Sequence, residues 1–220
     1  MRHVSVRGVM RYSVLLTVVI GCGGSAAPTS NPSTHEAVAP AQPAAPLEPW
    51  PVRAGWRSET IPFPLEFAPT LAHRGVEELR FAPGFFDPAA PGYFTYAFVW
   101  RTEDAAQLDA TALGTELTAY FRGLIDAVDE HKRITARDEI VARAQASGAD
   151  AFAIDATIYD AFKTAERLQL TGTAVRRRCG DGALWIFELS PPASGLRSEV
   201  RAVASEAACG QPEPPKRDKK

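Results

Sequence analysis

Apolar and polar positions along this chain alternate in two rhythms. From 93 to 100 the large residues Phe94, Tyr96, Phe98 and Trp100 stand at every second position, which predicts a strand. The residues between them are also mostly apolar, so this strand is expected to be covered on both faces. Leu79 and Phe81 alternate with Glu78 and Arg80 in a second strand over 76–81, and Phe152, Ile154 and Ile158 mark a third over 152–159. A β-branched, Thr-rich stretch over 167–178 carries Leu168, Leu170 and Val175, and the short return through 163–166 implies antiparallel pairing with its predecessor. Asp181-Gly182 is a hairpin signal, leading into an apolar return strand over 183–189. The second rhythm has helical spacing. After Asp109, a suitable N-cap, Leu113, Leu117, Tyr120, Phe121, Leu124, Ile125 and Val128 recur at intervals of three and four, predicting an amphipathic helix to about Glu130. Leu196, Val200, Val203, Ala204 and Ala207 predict another to about Ala208. Between Trp50 and Pro69, prolines interrupt Ile61, Phe63, Leu65 and Phe67, as in an edge strand or an extended strap over the core.

The predicted order is strands, helix, three strands, helix. It describes an α+β fold, a largely antiparallel sheet layered by two main helices, in one domain over 50–210. Hydrophobic residues make up 45% of the 220, enough for a core of that size. The formal charge of −2 becomes −5 if the first 21 residues, with three arginines and no acids, are removed. No basic surplus recommends nucleic acid, whose binding rests on Lys and Arg at phosphates.

The ends of the chain have another pattern. Arg2, Arg7 and Arg11 lead into an apolar run of about nine residues, against the roughly 20 that a membrane-crossing helix needs. A basic start, a short apolar centre and then small residues form the order of a secretory signal. At its end Val19-Ile20-Gly21-Cys22 resembles the lipobox of bacterial lipoproteins, in which an aliphatic residue, a small or aliphatic one and Gly or Ala precede an invariant Cys. The position most often Leu in that class is Val19 or Val18 here, and a start at Met10 would leave Arg11 as the only basic flank. The resemblance implies a signal peptide over 1–21, cleavage before Cys22, a diacylglyceryl thioether on Cys22 and often an acylated amino terminus. A lipid bilayer is then the first expected partner, reached through Cys22. Gly23 in place of an Asp leans towards the outer membrane in a Gram-negative organism. The plainer alternatives are an ordinary signal with an incidental Cys22, or a buried N-terminal strand.

Residues 22–49 would be the lipidated cysteine and a Pro/Ala-rich tether, with little apolar surface to offset ordering. Such a tether spans roughly 30 Å as a coil and up to about 80 Å as polyproline II. A basic tail over 211–220 closes the chain, more simply solvated than bound to headgroups or cell wall.

Two further cysteines, Cys179 and Cys209, most simply form a disulfide in an oxidising compartment. The alternatives are two buried thiols or one reactive thiol. A bridge closing about 30 residues would contribute roughly 3 to 4 kcal/mol by the chain-entropy argument.

Candidates for chemistry are sparse. His73 lies near Glu77 in sequence, short of the three or four ligands a metal site needs, and reads as a solvated loop residue. His131 follows the first helix, where a cation suits the dipole. Asp155, Asp160 and Glu188 would supply an acid–base pair if strand pairing aligned them. Arg176, Arg177 and Arg178 read as a guarded polar edge strand or, on one side, an anion-binding face. Phe85, Phe86, Tyr93 and Trp56 are expected in the core, with a peptide or glycan groove as the alternative. No nucleophile-elbow, phosphate-loop or dinucleotide glycine pattern occurs in 22–220, so no cofactor is expected. Arg80-Phe81-Ala82-Pro83-Gly84-Phe85-Phe86 and Tyr96-Ala97-Phe98-Val99-Trp100 are similar to segments of uncharacterised exported bacterial proteins, a resemblance that brings no activity with it. The expectation is an envelope lipoprotein that binds or scaffolds an unidentified protein or glycan. The alternatives are a small hydrolase using acidic residues and an accessory subunit of an outer-membrane assembly or transport complex.

Overall fold

The structure is a computed structural model and describes residues 50–105 and 107–210. The signal, Cys22, the tether and the basic tail lie outside the described residues. Among the described residues seven strands form one antiparallel sheet: β1 Arg57–Pro62, β2 Gly75–Phe81, β3 Tyr96–Thr102, β4 Val141–Gly148, β5 Ala151–Tyr159, β6 Arg167–Cys179 and β7 Gly182–Ser190, in the spatial order β1-β2-β3-β7-β6-β5-β4. Helix α1, Ala110–Val128, enters the chain between β3 and β4, and α2, Arg197–Ser205, follows β7. Among the described residues no helix is long and apolar enough to cross a membrane. The α+β architecture with helices layered on an antiparallel sheet is as expected.

β3 and β7 pair at the centre, and both are buried throughout most of their length because a helix covers each face. On the α1 face the rows read across the sheet as Phe81, Tyr96 and Leu189, then Leu79, Phe98 and Phe187, then Glu77, Trp100 and Trp185. Phe98 stacks on Phe187 at 4.3 Å between ring centroids and on Tyr120 of α1 at 5.6 Å. Asp109 caps α1 as expected, accepting from the Ala112 backbone N–H at 2.8 Å. Gly123 lets α1 meet the strap after β1, since a Cβ there would stand 1.8 Å from the Phe67 carbonyl oxygen.

The α2 face is built from smaller side chains. Ala97, Val99, Leu184 and Ile186 pack under Val200, Val203, Ala204 and Ala207. Trp50 pins the start of the domain to α2, its Nε1 donating to the Val203 carbonyl at 2.8 Å, and Arg80 lies 4.4 Å over its ring. Cys179 and Cys209 form the expected disulfide pair, with Cα atoms 5.5 Å apart, fastening the segment after α2 to the β6–β7 hairpin.

Several expectations need correction. Four strands, not three, follow α1. β4 carries Ala142, Ala144 and Ala146 on its inward side, and these small residues give no amphipathic contrast to read. β3 starts at Tyr96, because Phe94 takes φ 45° in the preceding turn. The β6–β7 loop is Gly180-Asp181, one residue earlier than the Asp-Gly signal: Cys179 pairs with Gly182, and Gly180 supplies the φ of +63°. The three arginines are not on an edge strand, although they extend past Val175, where the pairing of β6 with β5 ends, and pair with β7 alone. β6 lies between β5 and β7, and the edges are β1, with Pro62, and β4.

Candidate functional site

The sheet and α1 do not close completely over the strap end of the sheet. They leave a cavity of about 320 Å³, within the range of small-molecule sites. Its floor is Leu79 and Phe81 of β2 with Tyr96 of β3; its roof is the C-terminal half of α1, from Tyr120 to Val128. The side walls are Phe85, Phe86 and Phe94 from the 82–94 turns, and Ile158, Ala161 and Phe162 from the end of β5. Phe85 is the hub of the wall, with Phe81, Phe86, Phe94 and Tyr96 rings all within 5.4 Å of its own. These rings meet edge-on or tilted, the arrangements that aromatic pairs favour. Phe162, 41% exposed, stands at the mouth against Phe86 at 5.0 Å.

Asp160 positions that mouth. It is buried at the end of β5, where its carboxylate accepts from the Phe162, Lys163 and Thr164 backbone N–H groups and, at 2.7 Å, from the Tyr93 hydroxyl. Burial pushes the Asp160 pKa up, but those hydrogen bonds outweigh it and hold the carboxyl below its ordinary range. The Tyr93 hydroxyl is pushed the other way, by burial and by Asp160.

A second polar group stands on the floor strand β2, one row along from Leu79. Glu77 is fully buried, accepts from Trp100 Nε1 at 3.1 Å and has its other oxygen unpartnered. Desolvation raises its pKa to about 7, against the opposing hydrogen bond from Trp100. Beside Trp100, His73 donates from Nε2 to Glu116 on α1 at 2.8 Å, and this bond raises the imidazole pKa despite burial. The expectation of a solvated His73 is therefore wrong: the imidazole is 7% exposed, between Phe63, Trp100 and Glu116.

The other candidates do not converge. Asp155 and Glu188 share a sheet face, but β6 separates them and they lie opposite Thr171 and Thr173, two residues out of register. Asp155 is exposed and accepts from Gln169 at 2.7 Å; Glu188 is buried and accepts from Thr173 and Arg201. Asp160 serves the turn just described. Among the described residues no three His, Cys, Asp or Glu side chains gather as a metal site. Arg176 pairs with Asp150, Arg177 donates to the Ala207 carbonyl and Arg178 to that of Gly180. His131 is exposed beyond the end of α1. Of the four aromatics, Phe85 and Phe86 line the cavity, Tyr93 holds Asp160, and Trp56 packs half-buried on the α2 side. Glu77, considered only as a neighbour of His73, was not expected to be buried, yet its parity with Leu79 and Phe81 already put it on the apolar face of β2.

No protein-family model, curated protein or solved structure matches the chain.

Proposed function

We propose that this chain is a lipid-anchored cell-envelope protein whose α+β domain binds a small apolar ligand in the cavity between α1 and the sheet. The observation that carries the binding half is the lining: a cavity of about 320 Å³ walled by aromatic and aliphatic side chains. Transferring apolar surface into it is favourable by about 25 cal/mol per Å². Walls already packed against one another lessen the ordering cost of binding. The location half rests on the lipobox-like Val19-Ile20-Gly21-Cys22, which would keep the domain within a tether's length of a bilayer and so near a source of apolar molecules.

Two experiments test the two halves separately. Titration with N-phenyl-1-naphthylamine should give saturable fluorescence in the wild type, and Leu124→Trp, which places a ring in the void, should remove it while the thermal melt stays cooperative. Undiminished dye binding in that variant would refute the site. Intact mass spectrometry of membrane-extracted protein should give residues 22–220 plus a diacylglyceryl group, lost in Cys22→Ala; an unmodified mass in the soluble fraction would refute the anchor.

A further inference from the structure

The cavity's polar groups say more about its ligand than its size does. Glu59 of β1 is the only charged side chain in the lining; it is exposed at the rim and makes no ion pair among the described residues. Deeper in, the Tyr96 hydroxyl has no hydrogen-bond partner among the described residues, although the ring is 4% exposed. Behind Tyr120 lies the Glu77 carboxyl with its unpartnered oxygen. Two cations stand outside the lining: Arg57 lies over the Phe86 ring at 5.1 Å, and Arg57 and Lys163 line a separate pocket with Asp87, Phe85 and Phe86.

This lining is all acceptor and π-face at the charged end, with a phenol free to donate or accept further in. A carboxylate head entering it would lose water beside Glu59 and meet no cation in the lining, and a buried unpaired charge is strongly disfavoured. An ammonium at the rim would face Glu59, which is favourable to a cation, and the Phe162 ring, which unlike that of Phe86 carries no guanidinium among the described residues. A hydroxyl would reach the free Tyr96 oxygen at no electrostatic cost. We infer that the site, if it binds apolar molecules as proposed above, selects an amphiphile with a basic or neutral hydrogen-bonding head, an aliphatic amine or alcohol, and rejects the carboxylate of the same chain.

The test is competition of decylamine, decanol and decanoate against N-phenyl-1-naphthylamine at neutral pH, below their micelle concentrations, on wild type and Glu59→Gln. Decylamine should displace the dye at a concentration about tenfold lower than decanoate, with decanol between them. Glu59→Gln should narrow the gap between decylamine and decanol about threefold and leave decanol unchanged. Decanoate equal to or tighter than decylamine would overturn the selection and move the head to Arg57 and Lys163. An unchanged gap in Glu59→Gln would overturn the role of that carboxylate. If none of the three displaces bound dye, or no dye binds, the cavity reading itself fails and the selection with it.

Discussion

The two faces of the sheet use opposite solutions to the same problem. Under α2 the side chains are small or branched and are fastened by Trp50, the Cys179–Cys209 pair and the donations of Arg101 and Arg177 to the carbonyls of Ala208 and Ala207, with open space on this side in a polar-rimmed hollow beside the disulfide. Under α1 the side chains are large and aromatic, pack in offset stacks, and leave a cavity with a buried carboxyl beside it. Close packing is the norm for interiors, and an unfilled volume forgoes dispersion contacts. A face that keeps one is giving up stability, and its neighbour under α2 is where the domain is tightened. One face holds the domain; the other is available to a ligand.

The largest test of that division is truncation. Phe98→Ala on the α1 face should cost about 3–5 kcal/mol in urea unfolding, and Val203→Ala under α2 about 2 kcal/mol. Equal costs would mean that the aromatic stack is not the main core. Next, Cys179→Ser with Cys209→Ser should cost about 3 kcal/mol by the chain-entropy argument while dye binding is unchanged. A parallel loss of binding would tie the two faces together and break the comparison.

Glu77 sharpens it through pH. Its folded pKa of about 7 is above the ordinary 4.5, so the folded state holds more protons between those values and stability falls as pH rises from about 4.5 to 7, then levels off. The loss is on the order of 3 kcal/mol. Glu77→Gln should abolish that slope and be the more stable protein at pH 8; an unchanged slope would show that the carboxyl is solvated or paired. The smallest effect is at His73. Its raised pKa means that the Glu116 bond contributes fully below about pH 6.5 and fades as pH rises through the folded value. Glu116→Gln should therefore cost roughly 1 kcal/mol or less, most at acid pH, with the gap to wild type shrinking as pH rises.

Much of the fold was legible because its strands and helices are strongly patterned. The helix after Asp109, and the strands around Leu79, Phe98, Ile154 and Trp185, announce themselves by period and by large side chains. β4 was not legible, since alanines at its inward positions carry little contrast; α1 reaches it through Thr118, which donates to and accepts from the Ala142 backbone. Pairing partners across distance were the other blind spot. His73 meets Glu116, 43 residues on, and Tyr93 meets Asp160, 67 residues on, so neither could be read from neighbours. The cavity was hidden for the same reason. Phe85, Phe86 and Phe162 look like core residues in sequence, and only the path of the 82–94 turns beside the end of β5 leaves space between them.

The most direct test of the central claim is a methyl-resolved NMR titration with decanol. The account predicts saturable shifts at Ile61, Leu79, Leu124, Ile125, Val128 and Ile158, which line the cavity, and none at Val99, Leu184, Val200 or Val203 beneath α2. Shifts spread evenly over both faces, or saturating first beneath α2, would contradict it.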